Sequence, residues 1–427
     1  MEKPQKFVSS QIKLLALMYF AYAVSMIMKY SIIVVSPSLI SDPMVAMSKT
    51  QFGEILASGS IGGIFGKILF GLGADRFGGK KSFLVSLLIL SIGIVLFGFS
   101  YNIFAFNLIF FSLAMSKAGG WPSLANLIGH WYHSSQYGRA WGYISTSSRC
   151  GTIFATLVLG FLLNYLPWRY VLYLSASIGI LTVIIWYFCV PEKPDDIQQD
   201  DQPKKQVSQQ HIGHPLHNKT LKFALLDFLK SKRVCLIFFA MMGLTIMVDF
   251  LNFVPIFIKE TLDISEANAV LTTSAFPIGS VVSVLVGGYV FDALPAKTLT
   301  RVIGFLLGIA VLCIAVINNL SYFSFSLPIN ILVIYICLFS FGLSVAPAYY
   351  LPMSIFSIKY GGPFSGILIS ILDIGGFFAS AIFGIIIGRV ADSMGWGQVL
   401  LLLMLMGIIT LMLTVWFLHN ENKVAEM

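Results

Sequence analysis

Charge is what this chain has least of: only 11% of its 427 residues are Asp, Glu, Lys or Arg. A water-soluble domain carries about 25%, so a chain that is 57% hydrophobic, with a mean hydropathy of +0.86, cannot coat a globule with polar surface. Acids are scarcer than bases, 19 against 27, for a net charge of +8. That excess is strung thinly along the flanks of apolar runs, which excludes nucleic acid as a partner and reads as membrane topology. The five cysteines are odd in number and all lie in apolar stretches, which excludes a disulfide framework and a metal-ligand spacing. Ten-residue alternating strands are missing, which excludes a membrane barrel. Gly119-Gly120 and Gly361-Gly362 lack the strand-to-helix setting and the Lys-Ser/Thr of a phosphate loop. No small-residue cleavage site precedes Lys29, so the first apolar run is expected to stay as a membrane helix.

What is there is a succession of apolar runs. A spanning helix needs roughly 20 such residues, at about 1.5 Å each across a hydrocarbon layer of about 30 Å. Twelve are predicted, at 12–40, 51–72, 82–100, 103–130, 138–163, 169–190, 233–258, 266–292, 299–318, 328–354, 364–388 and 396–418. The expected fold is therefore an all-α membrane protein. An even number of spans puts both termini on one side. That side carries 19 of the Lys and Arg residues and the other carries four, so both termini are expected in the cytoplasm.

The one long polar segment lies between the sixth and seventh spans. It divides the chain into a six-helix bundle at 1–190, a cytoplasmic linker at 191–232 and a second bundle at 233–427. His211, His214 and His217 fall in the linker and are read as solvated residues rather than metal ligands, since nothing apolar nearby would fix their geometry. No metal or cofactor is expected anywhere.

The two bundles repeat in the same orientation. Gly71-Leu-Gly-Ala-Asp75-Arg76-Phe-Gly-Gly-Lys80 follows the second span, and Gly288-Tyr-Val-Phe-Asp292-Ala-Leu-Pro-Ala-Lys297 follows the eighth with the same Gly-to-Asp and Asp-to-Lys intervals. A shift of 224 residues places Gly138, Gly142, Gly151, Phe154, Ala155 and Gly160 on Gly362, Gly366, Gly375, Phe378, Ala379 and Gly384. Two such halves form the plan of the major facilitator transporters, and the Gly71–Lys81 loop resembles that family's signature. Tyr22 to Lys29 with Pro37, then Gly120-Trp121-Pro122, His130-Trp131 and Gly138, are similar to the organophosphate:phosphate antiporters, the glycerol-3-phosphate transporter-like branch. The resemblance implies a major facilitator fold of two pseudo-symmetric six-helix bundles. It also makes Asp75, Arg76 and Lys80 a cytoplasmic gating latch; the plainer alternative is a loop that only sets topology.

A charge at bilayer centre costs about 2.5–3.5 kcal/mol on insertion scales, so interior ions are functional hypotheses. Lys29, Lys67, Lys117 and Arg149 sit inside the first, second, fourth and fifth spans, and Asp249 and Asp373 inside the seventh and eleventh. Cations in a low-dielectric pocket repel unless a counter-ion screens them, and an anionic substrate is the natural one; pairing with Asp249 and Asp373 is the plainer alternative. Arg149 can grip a carboxylate or phosphate with two hydrogen bonds, while Lys29 and Lys117 are movable point charges. The resemblance sets Lys29 at a substrate-binding arginine, Lys67 at a second-helix lysine and Ser148 at a binding histidine. Met247 takes the place of the second phosphate-binding arginine. Tyr22, Asn126, Asn252, Tyr349 and Tyr350 are softer candidates for lining a cavity, and Trp121, Trp131 and Trp168 read as interfacial anchors. Asp249 and Asp373 read equally as proton acceptors or as partners of a substrate amine.

The function expected from these residues is secondary active transport, by alternating access, of a small organic anion or a zwitterion such as an amino acid. Proton-coupled import across a bacterial inner membrane is the first expectation, by a monomer in the lipid bilayer. Exchange of a phosphorylated metabolite for phosphate as counter-substrate is the alternative, and a transporter-like membrane sensor is a rival. An enzyme is not expected, since no nucleophile–base pair or metal cluster gathers at one depth.

Overall fold

The computed structural model describes residues 2–132, 136–191, 214–216, 219–320 and 325–426, and every regular element among them is a helix. The first half forms α1 (Glu2–Val34), α2 (Ser36–Ser41), α3 (Lys49–Phe77), α4 (Gly79–Phe99), α5 (Ile103–Ala118), α6 (Gly120–Trp131), α7 (Tyr137–Phe154) and α8 (Trp168–Cys189). The second forms α9 (Leu221–Lys230), α10 (Lys232–Asp249), α11 (Val254–Leu262), α12 (Glu266–Thr273), α13 (Ala275–Ala293), α14 (Ala296–Asn318), α15 (Leu327–Gly361), α16 (Ser365–Ser393) and α17 (Trp396–Glu426). Helices close their own backbone hydrogen bonds, which lipid requires. Their starts are written in the sequence. At α3 the Ser48 hydroxyl accepts from the Gln51 N–H at 3.1 Å, and the Gln51 side chain accepts in return from the Ser48 N–H at 2.9 Å. Gly78, at φ 88°, turns α3 into α4 in a single residue.

Ten helical stretches among the described residues are long and apolar enough to cross a membrane. One of them, Leu327–Ser393, is 67 residues long and holds two of the predicted spans, joined through a 3-10 turn at Gly362–Phe364. The span predicted at 138–163 is helical as well, but α7 is too polar to stand among the ten and runs into a π-helical segment at Ala155–Leu159. Long, exposed apolar side chains such as Phe65, Leu108 and Phe305 project from these helices, as lipid-facing residues should.

The chain forms two compact units, residues 1–203 with 264–271, and residues 204–263 with 272–427. The start of the eighth predicted span clusters with the first unit rather than the second. There the Ser38 hydroxyl donates to the Glu266 carboxylate, and Val270 packs over Gly160.

Within each unit the helices pair in the same way. In the first, α3 packs on α5, α1 on α7 and α4 on α8; in the second, α13 packs on α15, α10 on α16 and α14 on α17. Close approach through glycine marks the repeat at atomic level. A Cβ on Gly62 would lie 2.2 Å from the Phe111 carbonyl oxygen, and one on Gly279 would lie 2.1 Å from that of Phe339. Gly151 likewise presses on the Ala23 carbonyl of α1, and Gly375 on the Phe238 ring of α10. Small residues let membrane helices touch backbone to backbone, where packing rather than hydrophobic collapse drives association.

Candidate functional site

In the first unit Lys117 is placed by a break in the fourth predicted span. Gly119 alone separates α5 from α6, which begins at Gly120, and Lys117 lies in the last turn of α5, where the carbonyl end of a helix favours a cation. A Cβ on Gly120 would lie 2.7 Å from the Tyr22 ring, so the glycine admits that ring against the break. Tyr22 is 1% exposed, stacked at 6.5 Å on Phe83 and set 5.0 Å from Trp121, which in turn lies 4.9 Å from Trp141. On this aromatic wall the Lys117 ammonium donates to the Tyr22 hydroxyl at 3.4 Å and lies 5.5 Å from the ring centroid. Lys67 of α3 is within Coulombic range of Lys117. Two ammonium groups and a phenol hydroxyl thus converge from α1, α3 and α5.

Lys29 and Arg149 are held by contacts of their own. The Lys29 ammonium is 5.7 Å from the ring centroid of Tyr30. Arg149 Nη1 donates to the Ser145 carbonyl at 3.1 Å, and the Ser148 hydroxyl donates to the same oxygen at 3.0 Å. Arg149 and Ser148 lie nearly two turns before the π-helical segment that opens at Ala155, a kind of irregularity frequent at functional sites.

The second unit gathers its acids. Tyr349 is hydrogen-bonded to Thr245 and lies within Coulombic range of both Asp373 and Asp249. Thr245 is seated by Gly376, whose Cβ would approach its Oγ1 to 2.7 Å. Asn252 is half-buried in the short 3-10 turn between α10 and α11. Met247, which the resemblance sets at a second arginine, is fully buried and packs beside Gly407 of α17. Asp75 and Arg76 are exposed at the end of α3, Arg76 lies over Phe77, and the Lys80 ammonium lies 5.7 Å from the Tyr187 ring. The matching side chains at 288–293 lie outside those described.

Several sequence expectations change place. Asn126 has a structural partner: its side-chain oxygen accepts the Gly79 N–H at 3.0 Å and so serves the start of α4. Trp121 belongs to the aromatic wall, and the Trp168 indole donates to Asp42 at 3.0 Å, because both rings find partners inside the unit. His214 is no freely solvated linker residue: its Nδ1 accepts from the Leu216 N–H at 3.1 Å, so Nε2 carries the proton it gives to the Lys359 carbonyl at 3.2 Å. His211 and His217 lie outside the described residues. Among those described, no cluster of three metal-ligating side chains is present. Sequence reasoning missed the Asp42–Arg169 ion pair, at 2.7 Å, and the Ser38–Glu266 contact; each joins residues over a hundred positions apart with no motif to announce them.

Fold and site together define a multi-pass helical membrane protein with charge gathered inside its spanning segments. Residues 18–380 match the Major Facilitator Superfamily, and the chain belongs to that superfamily of secondary transporters. It is 24% identical over 418 residues to a probable hexose phosphate transport protein of Chlamydia trachomatis, covering 93% of this chain and 88% of the relative. It is 25% identical over 238 residues to the membrane sensor protein UhpC of Salmonella typhimurium, covering 53% of this chain and 52% of that one. These likenesses fall in the organophosphate:phosphate antiporter branch. The fold matches the crystal structure of a bacterial homologue of the human lysosomal transporter Spinster, with a TM-score of 0.76 at 16% identity over 97% of this chain and 98% of that one. Family and fold are those of transporters, not enzymes.

Proposed function

We propose that this protein carries a phosphorylated organic anion across the bacterial inner membrane in exchange for inorganic phosphate, by alternating access. The observation that carries the reading is the Lys117 ammonium held 3.4 Å from the Tyr22 hydroxyl with Lys67 in electrostatic range. Like charges in a poorly polar setting raise one another's energy, and a phosphate dianion between them lowers it while offering several acceptor oxygens. Lys29 and Arg149 extend the same positive set, Arg149 through a fork suited to phosphate. The likeness to a hexose phosphate transport protein supports a phosphate ester over the amino acid first expected. With Met247 buried in the core, the grip on phosphate comes from first-unit cations rather than from an arginine in each half.

In this reading 1–190 and 233–427 act as the two repeats of a monomer, 191–232 joins them, and both termini are cytoplasmic. Asp249 and Asp373 then tune the field around Tyr349 rather than carry an obligatory proton, and Asp75, Arg76 and Lys80 form the gate. The likeness to a membrane sensor favours a second reading, in which the same cations bind their ligand without turnover.

Proteoliposomes loaded with phosphate decide the matter. External hexose phosphate or glycerol phosphate should enter faster with phosphate inside than without it. Accumulation of an amino acid driven by a pH gradient, with no phosphate exchange, would sink the reading. Tight phosphate-ester binding without uptake would favour the sensor.

A further inference from the structure

Helix α9, Leu221–Lys230, is separated from the seventh span by Ser231 alone. Thr220 caps its start, and one face is buried in the second unit: Ala224 and Phe228 are inaccessible, and the Phe228 ring lies 6.0 Å from that of Tyr360. The other face is unusual for a surface helix. Leu229 is 75% exposed and Leu226 and Phe223 are each 47% exposed, with Lys222 and Lys230 also exposed. At about 100° per residue these five share one side of the helix, opposite Ala224 and Phe228. The Lys219 ammonium lies 5.0 Å from the Phe223 ring, and Lys232 is exposed just past Ser231. The only acid of the helix is turned away from this side, since Asp227 accepts from the Tyr360 hydroxyl at 3.0 Å. The outward face therefore combines apolar side chains with positive charge alone.

We propose that α9 lies flat on the bilayer and binds anionic phospholipid, with Phe223, Leu226 and Leu229 at the acyl boundary and Lys219, Lys222, Lys230 and Lys232 among the headgroups. Its neighbour Lys232 opens a spanning helix, so α9 ends where that span enters the membrane and the headgroups are within reach. Basic clusters of this size beside a membrane helix favour anionic lipid, and long lysine stems can lie along the apolar face while their charges reach the phosphates. A protein occupant would have to bring acids, and nothing on this face is shaped to orient them. The inference rests on the membrane placement of α10, not on the transported substrate.

The test is the rate at which Leu229→Cys reacts with a membrane-impermeant maleimide, above the background of the unsubstituted protein. Nanodiscs of phosphatidylethanolamine with phosphatidylglycerol should slow the reaction about tenfold or more relative to detergent, and phosphatidylcholine nanodiscs should slow it much less. Replacing Lys219, Lys222 and Lys230 together by Gln should return the fast rate in the anionic nanodiscs, with the melting temperature in detergent unchanged. Equal rates in all three settings would overturn the proposal. So would protection that is the same in both lipids and indifferent to the lysines, or protection already complete in detergent, which would mean a protein contact covers the face.

Discussion

Lys117 and Tyr22 meet at 3.4 Å although 95 residues separate them, the ammonium lying over the edge of a buried phenol that is packed against a glycine. The tyrosine fixes the lysine by accepting one hydrogen bond through its hydroxyl. The other ammonium hydrogens can then serve an incoming anion.

Removing that pair separates charge from positioning. Lys117→Ala should abolish exchange, because the charge that neutralises the anion inside the membrane is lost. Tyr22→Phe keeps the ring and loses the hydroxyl, so KM should rise about fivefold, the equivalent of about 1 kcal/mol, with little change in maximal rate. Initial uptake rates in proteoliposomes measure both, and wild-type kinetics in both variants would end the cation-site reading.

Arg149 and Lys29 differ in what a replacement spares. Arg149→Lys keeps the charge but loses the fork, and should retain less than about a tenth of the exchange rate. Lys29→Arg keeps charge and adds donors, and should remain active where Lys29→Ala does not. If Arg149→Lys is indistinguishable from wild type, bidentate recognition by that residue is excluded.

Asp249→Asn and Asp373→Asn distinguish exchange from proton coupling. Phosphate exchange at equal pH on both sides should persist in each, while a proton symporter would lose accumulation. Counterflow measured with and without a pH gradient reads this directly.

Asp42 predicts a pH effect on stability. Its partial burial alone would push the carboxyl up, but hydrogen bonds from Arg169, the Met44 N–H and the Trp168 indole, with the Arg169 charge, outweigh it and hold the group below its ordinary value. A carboxyl depressed on folding adds stability above its unfolded value, near about 3.9, and loses it as pH falls through the folded value. Melting temperature should therefore drop on acidification below about pH 4, and Asp42→Asn should flatten that drop while costing about 1–3 kcal/mol at neutral pH. Identical acid profiles for variant and wild type would refute the assignment.

The paired glycines predict matching lesions in the two units. Gly62→Ala and Gly279→Ala each force a methyl onto a backbone carbonyl, so each should cost about 1–3 kcal/mol through separation of the packed helices. Thermal unfolding in detergent should show both losses. A neutral result at either site would mean those helices part without cost.

The amino-acid sequence by itself determined that this chain lives in lipid, that its halves repeat, and which residues carry charge into the membrane. Hydropathy and spacing are properties of local stretches: the 217-residue interval between Gly71 and Gly288 is also the interval between Gly62 and Gly279, whose carbonyl contacts match. What it left open was partnership. Only tertiary packing decided that Lys117 stands on Tyr22 rather than beside an aspartate, that Asn126 serves a helix start, that His214 docks on Lys359, and that the head of the eighth span joins the first unit. Those outcomes turn on distances between segments remote in the chain, where a single glycine or one hydrogen bond outweighs any local preference and no periodic signal records which helix will be the neighbour.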